Sequence, residues 1–121
     1  MDSTYHVSAP AHVTCVEGVP VIAVCGRLDT TSSAVFDTQT ASVFADRCAR
    51  VLLDMSAATY LSSAGLRSIL KIIKQVAGCG GRVAMFSVPP SILEIIEISG
   101  FQALLDIYPD RETALKESVG R

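Results

Sequence analysis

Serines and carboxylates are the side chains of this sequence that could carry chemistry, because histidines are scarce. The two histidines, His6 and His12, both lie near the start of the chain, so we do not expect a nucleophile paired with a histidine base. Asp29 and Asp54 could act as a general acid and base, but carboxylates that follow strands more often cap helices. The sequence therefore predicts no catalytic residue, and we expect a protein that is not an enzyme.

The sequence also lacks the motifs that hold phosphate groups or metal ions. Ser63 does not lie in a G-x-S-x-G elbow, and no glycine-rich turn leads from a predicted strand into a helix as a phosphate-binding loop does. The four cysteines, Cys15, Cys25, Cys48 and Cys79, form no C-x-x-C pair and have no histidines placed to complete a zinc site. We expect no metal and no cofactor, and we expect free cysteines that are buried or partly buried.

Composition and charge narrow the choice of function further. Of the 121 residues, 50% are hydrophobic and 18% are charged, and the formal net charge is −2. This balance predicts a folded single domain, and the lack of a basic run argues against nucleic acid as a partner. Neither a membrane-spanning stretch nor a signal peptide is recognisable, so we expect a cytoplasmic protein. We expect residues 1–10 to form a flexible segment and residues 11–121 a single domain.

Five short runs rich in β-branched and apolar residues predict strands. They are His12 to Val16, Val21 to Val24, Val51 to Met55, Arg82 to Ser87 and Leu104 to Tyr108. A turn separates the first two runs and predicts a hairpin. The third run is almost wholly apolar, which is typical of a central strand covered on both faces.

Segments of helical periodicity alternate with these strands. The first predicted helix begins near Thr30 and ends near Arg50, and the second begins at Ser62 or Ser63. Two further helices are predicted after Pro89 and after Asp110. The alternation predicts an α/β fold with a mixed, mostly parallel sheet of about five strands and about four helices.

Two loops are expected at the carboxyl ends of the strands, which is the edge where open α/β sheets present their working surface. These loops are Gly26 to Ser33 and Ala57 to Gly65. The second loop leads into an amphipathic helix, where one serine would suffice to cap the free N–H groups. A phosphate on a serine there would add about −1.5 to −2 charges beside a helix N-terminus, which tolerates an anion.

Three motifs resemble those of STAS-domain anti-sigma factor antagonists, also called anti-anti-sigma factors. GRLD at Gly26 to Asp29 is similar to their G-x-L-D loop, and LDMS at Leu53 to Ser56 with YLSSAGL at Tyr60 to Leu66 resembles their L-D-L-S and F-x-D-S-S-G-L segments. ISGF at Ile98 to Phe101 resembles their M-S-G-L stretch. The resemblance extends from about His12 to Ser118 and implies the STAS fold.

In function, the resemblance implies a binding protein that captures a serine/threonine kinase of the GHKL type, the anti-sigma factor, and thereby frees a sigma factor. The kinase would inactivate the protein by phosphorylating Ser63, which matches the family's acceptor, and a metal-dependent serine phosphatase would reset it. Ser62 stands where the family has an Asp. This departure removes a negative charge from the surface that the kinase would recognise. We expect a monomer when the protein is free. The residues expected to contact the partner are Asp29, Thr30, Ser62, Ala64, Gly65 and Arg67.

The faces of the second helix support part of this assignment. We expect Arg67 and Ser68 to point outward as contact residues, away from the apolar stripe of the helix. Lys71 and Lys74 are interpreted as a solvated face of the same helix.

Other interpretations remain open at this stage. STAS domains also serve as regulatory or structural subunits of transport complexes, such as lipid-transport ATPases and anion transporters, without a phosphorylation switch. Ser62 in place of the family Asp would suit such a divergence. A nucleotide-binding domain is a third hypothesis, although no phosphate-cradling motif supports it. Ser63 could be only a helix N-cap, and Asp29 only a turn or cap residue.

Overall fold

The chain begins with a hairpin in the computed structural model, which describes residues 9–41, 43 and 50–119. Strand β1 (Ala11–Val16) runs antiparallel to β2 (Val19–Val24). Glu17 and Gly18 join them with positive φ angles of 50° and 83°, as a tight two-residue hairpin turn requires. The hairpin predicted from the sequence is confirmed, whereas most of the segment expected to be flexible, residues 1–8, lies outside the described residues.

The rest of the described chain alternates strands and helices. The strands are β3 (Gly26–Leu28), β4 (Arg50–Asp54), β5 (Ala58–Leu61), β6 (Arg82–Phe86) and β7 (Asp106–Tyr108). The helices are α1 (Thr30–Ala41), α2 (Ser63–Gly78), α3 (Pro90–Ser99) and α4 (Arg111–Val119). Five strands form one sheet in the order β1-β2-β4-β6-β7, in which only the β1–β2 pair is antiparallel. The mixed, mostly parallel sheet with four helices is therefore confirmed.

Helices cover both faces of the five-stranded sheet. Phe36 of α1, Ile69 of α2 and Leu53 of β4 share one apolar core, which also takes in α3. Leu52 of β4 and Ala114 of α4 belong to a second core on the opposite face. Both β4 leucines are fully buried, as expected of a central strand. No helix among the described residues is long and apolar enough to cross a bilayer.

Several element boundaries differ from the sequence predictions. Helix α1 ends at Ala41, and Arg50, predicted near the end of this helix, is instead the first residue of β4. Arg50 lies opposite Arg82 in the parallel β4–β6 register, so sheet pairing decides its conformation. The last strand begins at Asp106, because a short 3₁₀ turn at Phe101–Ala103 precedes it.

Side-chain exposure corrects two further predictions. Cys15 and Cys79 are exposed free thiols, whereas Cys25 is partly buried as expected. Cys15 lies on the edge strand β1 and Cys79 follows the end of α2, where little of the chain covers them. Cys48 lies outside the described residues. Ser68 does not point outward: it is 2% exposed, because it lies on the side of α2 that faces α1.

Candidate functional site

A small parallel sheet lies within the two segments that were expected to be loops. Strand β3 pairs with β5, with Leu28 opposite Leu61, and both leucines are buried. Helix α1 begins just after β3, and α2 begins just after β5. The pairing therefore holds the N-terminal ends of α1 and α2 side by side, and this pair of helix starts is the candidate functional site.

Asp29 caps the start of α1. Its Oδ1 accepts hydrogen bonds from the backbone N–H groups of Thr31 at 3.0 Å and Ser32 at 3.1 Å. In return, the Ser32 hydroxyl accepts the Asp29 N–H at 3.0 Å and donates to the Arg27 carbonyl at 2.7 Å. The Ser32 N–H is the main cause that lowers the pKa of the Asp29 carboxyl, and the other hydrogen bonds add to it against an opposing effect of burial. Asp29 is thus a permanent negative charge at this helix N-terminus.

Ser62, and not Ser63, caps the start of α2. The Ser62 Oγ accepts the Gly65 N–H at 3.3 Å and approaches the Leu28 carbonyl at 3.4 Å as a donor. The Ser62 N–H donates to the same carbonyl at 3.0 Å. Ser63 is the first residue of α2 and is exposed, and its side chain makes no hydrogen bond within the described part of the chain. The interpretation of Ser63 as the helix cap is therefore wrong.

Gly65 and Ala64 fit α2 against β3. A Cβ atom at Gly65 would collide with the Leu28 carbonyl oxygen, so only glycine allows this close approach of helix and strand. Ala64 is 7% exposed. The remaining residues expected to contact a partner are more accessible. Thr30 and Arg67 are exposed, and Asp29 and Ser62 are partly buried.

Arg27 and Tyr60 extend the exposed surface next to these helix starts, and neither was predicted from the sequence to belong to the site. They are opposite each other in the β3–β5 register. The Arg27 guanidinium lies 4.3 Å from the centroid of the Tyr60 ring, within the range of a cation–π interaction. The Arg27 Nε is also 3.5 Å from the Asp29 Oδ2. The signal was the outward position of each residue before a buried leucine, which becomes visible only once both segments are recognised as strands.

Asp54 does not form an acid pair with Asp29. Its Oδ1 accepts the N–H and the hydroxyl of Ser56 at 3.0 Å and 2.7 Å, and its Oδ2 lies 3.7 Å from Nη1 of Arg111 in α4. Burial, followed by the charge of Asp54, raises the pKa of the Cys25 thiol, so Cys25 lacks the thiolate character of a reactive cysteine. Within residues 9–41, 43 and 50–119, no group of three His, Cys, Asp or Glu could hold a metal ion. The described site offers an exposed hydroxyl and a contact surface.

Comparison with protein families identifies a match to most of the chain. The profile of the STAS domain family matches residues 11–114. A relative from Bordetella bronchiseptica, BtrV, is named as a putative anti-sigma factor antagonist and is 28% identical over 102 residues, which cover 84% of this chain and 81% of the relative.

Solved structures share the fold across nearly the whole chain. An anti-sigma factor antagonist from Mycobacterium paratuberculosis has a TM-score of 0.81 at 23% identity, covering 92% of this chain and 93% of that one. The phosphorylated form of the Bacillus cell fate determinant SpoIIAA has a TM-score of 0.71 at 14% identity, covering 89% and 98%. The murine anion transporter Slc26a9 has a TM-score of 0.77 at 17% identity over 88% of this chain, but the match covers only 18% of the transporter.

Proposed function

Because this chain belongs to the STAS domain family, we propose that it is an anti-sigma factor antagonist that binds a serine/threonine kinase of the GHKL type and loses this binding when the kinase phosphorylates Ser63. The observation that carries the proposal is the division of roles at the start of α2. Ser62 caps the helix, and Ser63 is left exposed with no structural hydrogen bond to a described residue. The name of the Bordetella relative and the existence of a phosphorylated SpoIIAA support the proposal.

The binding surface in this proposal is the pair of helix starts held together by β3 and β5. Thr30, Ser63 and Arg67 are exposed there and contact the kinase. The partly buried caps, Asp29 and Ser62, fix the direction of the two helices. The buried Ala64 and Gly65 contribute by position and not by direct contact, because they pack within the chain.

Phosphorylation changes this surface without changing the fold. The kinase transfers the γ-phosphoryl group of ATP to the Ser63 Oγ: an O–P bond forms, the bond from the γ-phosphorus to the β–γ bridging oxygen breaks, ADP leaves, and a base of the kinase takes the hydroxyl proton. The phosphate adds about −1.5 to −2 charges where the α2 dipole favours an anion. The same charge opposes kinase binding, because an unpaired charge at the centre of an interface is costly. A metal-dependent serine phosphatase hydrolyses the ester and restores binding.

A pull-down from the native cytosol tests the partner. The baits are the wild type, Ser63→Ala, Ser63→Asp and the control Ser91→Asp, in which the same charge is added to another exposed serine in the first turn of a helix, α3. We expect mass spectrometry to identify a GHKL-type kinase captured by the wild type, Ser63→Ala and Ser91→Asp, but not by Ser63→Asp. Capture of the same kinase by all four baits would contradict the switch.

Phosphate transfer by the captured kinase tests the acceptor. With labelled ATP, we expect incorporation into the wild type and Ser91→Asp and none into Ser63→Ala. Equal labelling of the wild type and Ser63→Ala would show that Ser63 is not the acceptor, even if the kinase is the correct partner.

A STAS subunit of a transport complex is the second candidate. The fold shared with part of the Slc26a9 anion transporter favours it, as does Ser62 at the position where the family motif has an Asp. In the same pull-down, this function would appear as capture of a transport ATPase or a transporter, with no difference among the Ser63 variants.

A further inference from the structure

Three cations form a stripe along the exposed side of α2. Arg67, Lys71 and Lys74 are all exposed, and their spacing of four and then three residues places them on one helix face over about 10 Å. We call these residues the basic stripe. Helix α2 contains no Asp or Glu, although the whole chain carries a net charge of −2.

Most of the positive charge of the stripe is not neutralised within the described part of the chain. Lys71 pairs with Asp37 of α1 at 2.7 Å, whereas Arg67 and Lys74 form no ion pair within residues 9–41, 43 and 50–119. The charges of α3 and α4 differ from those of α2. Helix α3 carries two glutamates and no cation, and α4 carries equal numbers of acidic and basic residues. A negative molecule therefore has a locally positive face on which to bind.

The stripe borders a groove and not a flat helix surface. Two adjoining hollows of about 310 Å³ and 270 Å³ lie between α1 and α2, and all three cations line the first of them. Their walls combine apolar groups, such as Ala64 and Ile72, with the stripe and with Asp37, whose carboxylate is paired with Lys71. The groove starts beside Ala64, next to the exposed Ser63, so a molecule bound at the helix starts reaches it without a gap.

We propose that the basic stripe and this groove dock an acidic segment of the kinase that binds Ser63, an inference that depends on the function proposed above. Carboxylates of the kinase segment pair with Arg67 and Lys74, and its apolar side chains enter the groove. Because Arg67 lies four residues beyond Ser63 on the same helix, a phosphate on Ser63 lies beside it and cancels part of the attraction. Phosphorylation of the single acceptor Ser63 thus also weakens the contacts that the stripe makes with the kinase.

Charge reversal on the kinase-bound face tests this inference. The captured kinase is titrated by surface plasmon resonance against the wild type, the double variant Arg67→Glu/Lys74→Glu and the control Lys116→Glu, which reverses an exposed cation of α4 on the opposite face of the sheet. At about 50 mM salt, we expect the association rate constant of the double variant to be lower than that of the wild type by a factor of roughly ten or more. The control should match the wild type. At about 300 mM salt, the difference should narrow because screening shortens the range of the charges.

Each outcome separates the inference from the function on which it depends. If the kinase phosphorylates Ser63 but binds the double variant as fast as the wild type, the docking inference fails and the function stands. An equal loss in Lys116→Glu would also overturn the inference, because net charge and not the stripe would then control binding. If no kinase is captured by the wild type, both fall together. Binding of the wild type, but not the double variant, to phosphatidylserine vesicles or duplex DNA in place of the kinase would identify another occupant and overturn the proposal.

Discussion

The two helix starts that lie side by side at the candidate site are stabilised in different ways. At α1, the Asp29 carboxylate accepts two backbone N–H groups and receives a reciprocal bond from Ser32. At α2, the neutral Ser62 hydroxyl accepts one N–H group at 3.3 Å. One helix start thus has a permanent negative charge, and the other has none. A negative charge added at Ser63 therefore meets a helix dipole that no charged side chain of α2 offsets.

The difference arises at a position where this chain departs from the family motif. The family has an Asp where this chain has Ser62, and an Asp there would give both helix starts a permanent charge. With serine, the helix is still capped, and the proposed phosphorylation of Ser63 would add charge to a helix start that has no acidic side chain of its own. The comparison depends on the β3–β5 pairing that keeps the two starts together, on the charge at α1 and on the neutrality of α2. Each of these can be changed separately.

The largest expected effect comes from separating α2 from β3, the strand that holds the two helix starts together. In Gly65→Ala, the added Cβ collides with the Leu28 carbonyl oxygen, so α2 and β3 must separate. We expect the free energy of unfolding to fall by about 2 to 3 kcal/mol, measured by urea denaturation. Kinase binding should be lost with it, because the two helix starts are no longer held in register.

Gly78→Ala is the matched control for Gly65→Ala. Gly78 is the last residue of the same helix, and a Cβ there meets nothing within 4 Å. Alanine is the better helix former, so stability should stay the same or rise by up to about 1 kcal/mol. An equal loss of stability in both variants would mean that α2 tolerates no substitution at its glycines and that the contact with Leu28 is not the cause.

The next largest effect is on the charged helix start. Asp29→Ala removes the acceptor of the Thr31 and Ser32 N–H groups, so we expect the melting temperature to fall by several degrees at neutral pH. Differential scanning calorimetry measures it. The control Asp106→Ala removes a partly buried carboxylate that pairs with Arg82 and caps no helix, and its melting temperature should change less.

The pH dependence of the Asp29 effect has a definite sign. The pKa of Asp29 in the folded state lies below its ordinary value of 3.8, so the stabilisation is complete above that value and is lost as the pH falls through the lowered pKa. The gap in melting temperature between the wild type and Asp29→Ala should therefore be constant from neutral pH down to about 4 and should narrow below it. A gap that narrowed at neutral pH would contradict the assignment.

The elements with strong periodicity could be predicted from the sequence, and the two short strands of the candidate site, β3 and β5, could not. Residues Val51 to Met55 form an almost wholly apolar run, and the apolar stripe of α2 recurs over several turns, so both patterns specify their own structure. Strands β3 and β5 have only three and four residues. They are strands because each pairs with the other across a long separation in sequence, and no local pattern records that pairing.

The candidate site was partly predictable for the same reason. A serine at the start of an amphipathic helix is a local signal, so the position of Ser62 and Ser63 could be predicted. Which of the two caps α2 depends on the Leu28 carbonyl contributed by β3, and the exposure of Ser68 depends on the packing of α1. Both depend on tertiary contacts, so these details were predicted wrongly or not at all.

The neutral cap should have a smaller effect than the charged one. In Ser62→Ala, the Gly65 N–H loses a long hydrogen bond of 3.3 Å, so we expect a loss of about 0.5 to 1 kcal/mol in the free energy of unfolding. Ser63→Ala, which removes a hydroxyl with no described hydrogen-bond partner, is the matched control and should be unchanged. A larger loss in Ser63→Ala than in Ser62→Ala would reverse the division of roles on which the proposed switch depends.

The smallest expected effect on stability is that of a charge at Ser63 itself, and its sign is the sharpest test of the comparison. In Ser63→Asp, a carboxylate enters the first turn of α2, which holds no other acidic side chain, so the free energy of unfolding should rise by about 0.3 to 1 kcal/mol. When the change Ser62→Asp is already present, adding Ser63→Asp should raise the free energy of unfolding by less, because the cap then already carries a negative charge. If both backgrounds gain equally, the neutrality of Ser62 has no electrostatic role. A destabilised Ser63→Asp would be a stronger contradiction, since phosphorylation could then act by unfolding α2 and not by changing the charge of a folded surface.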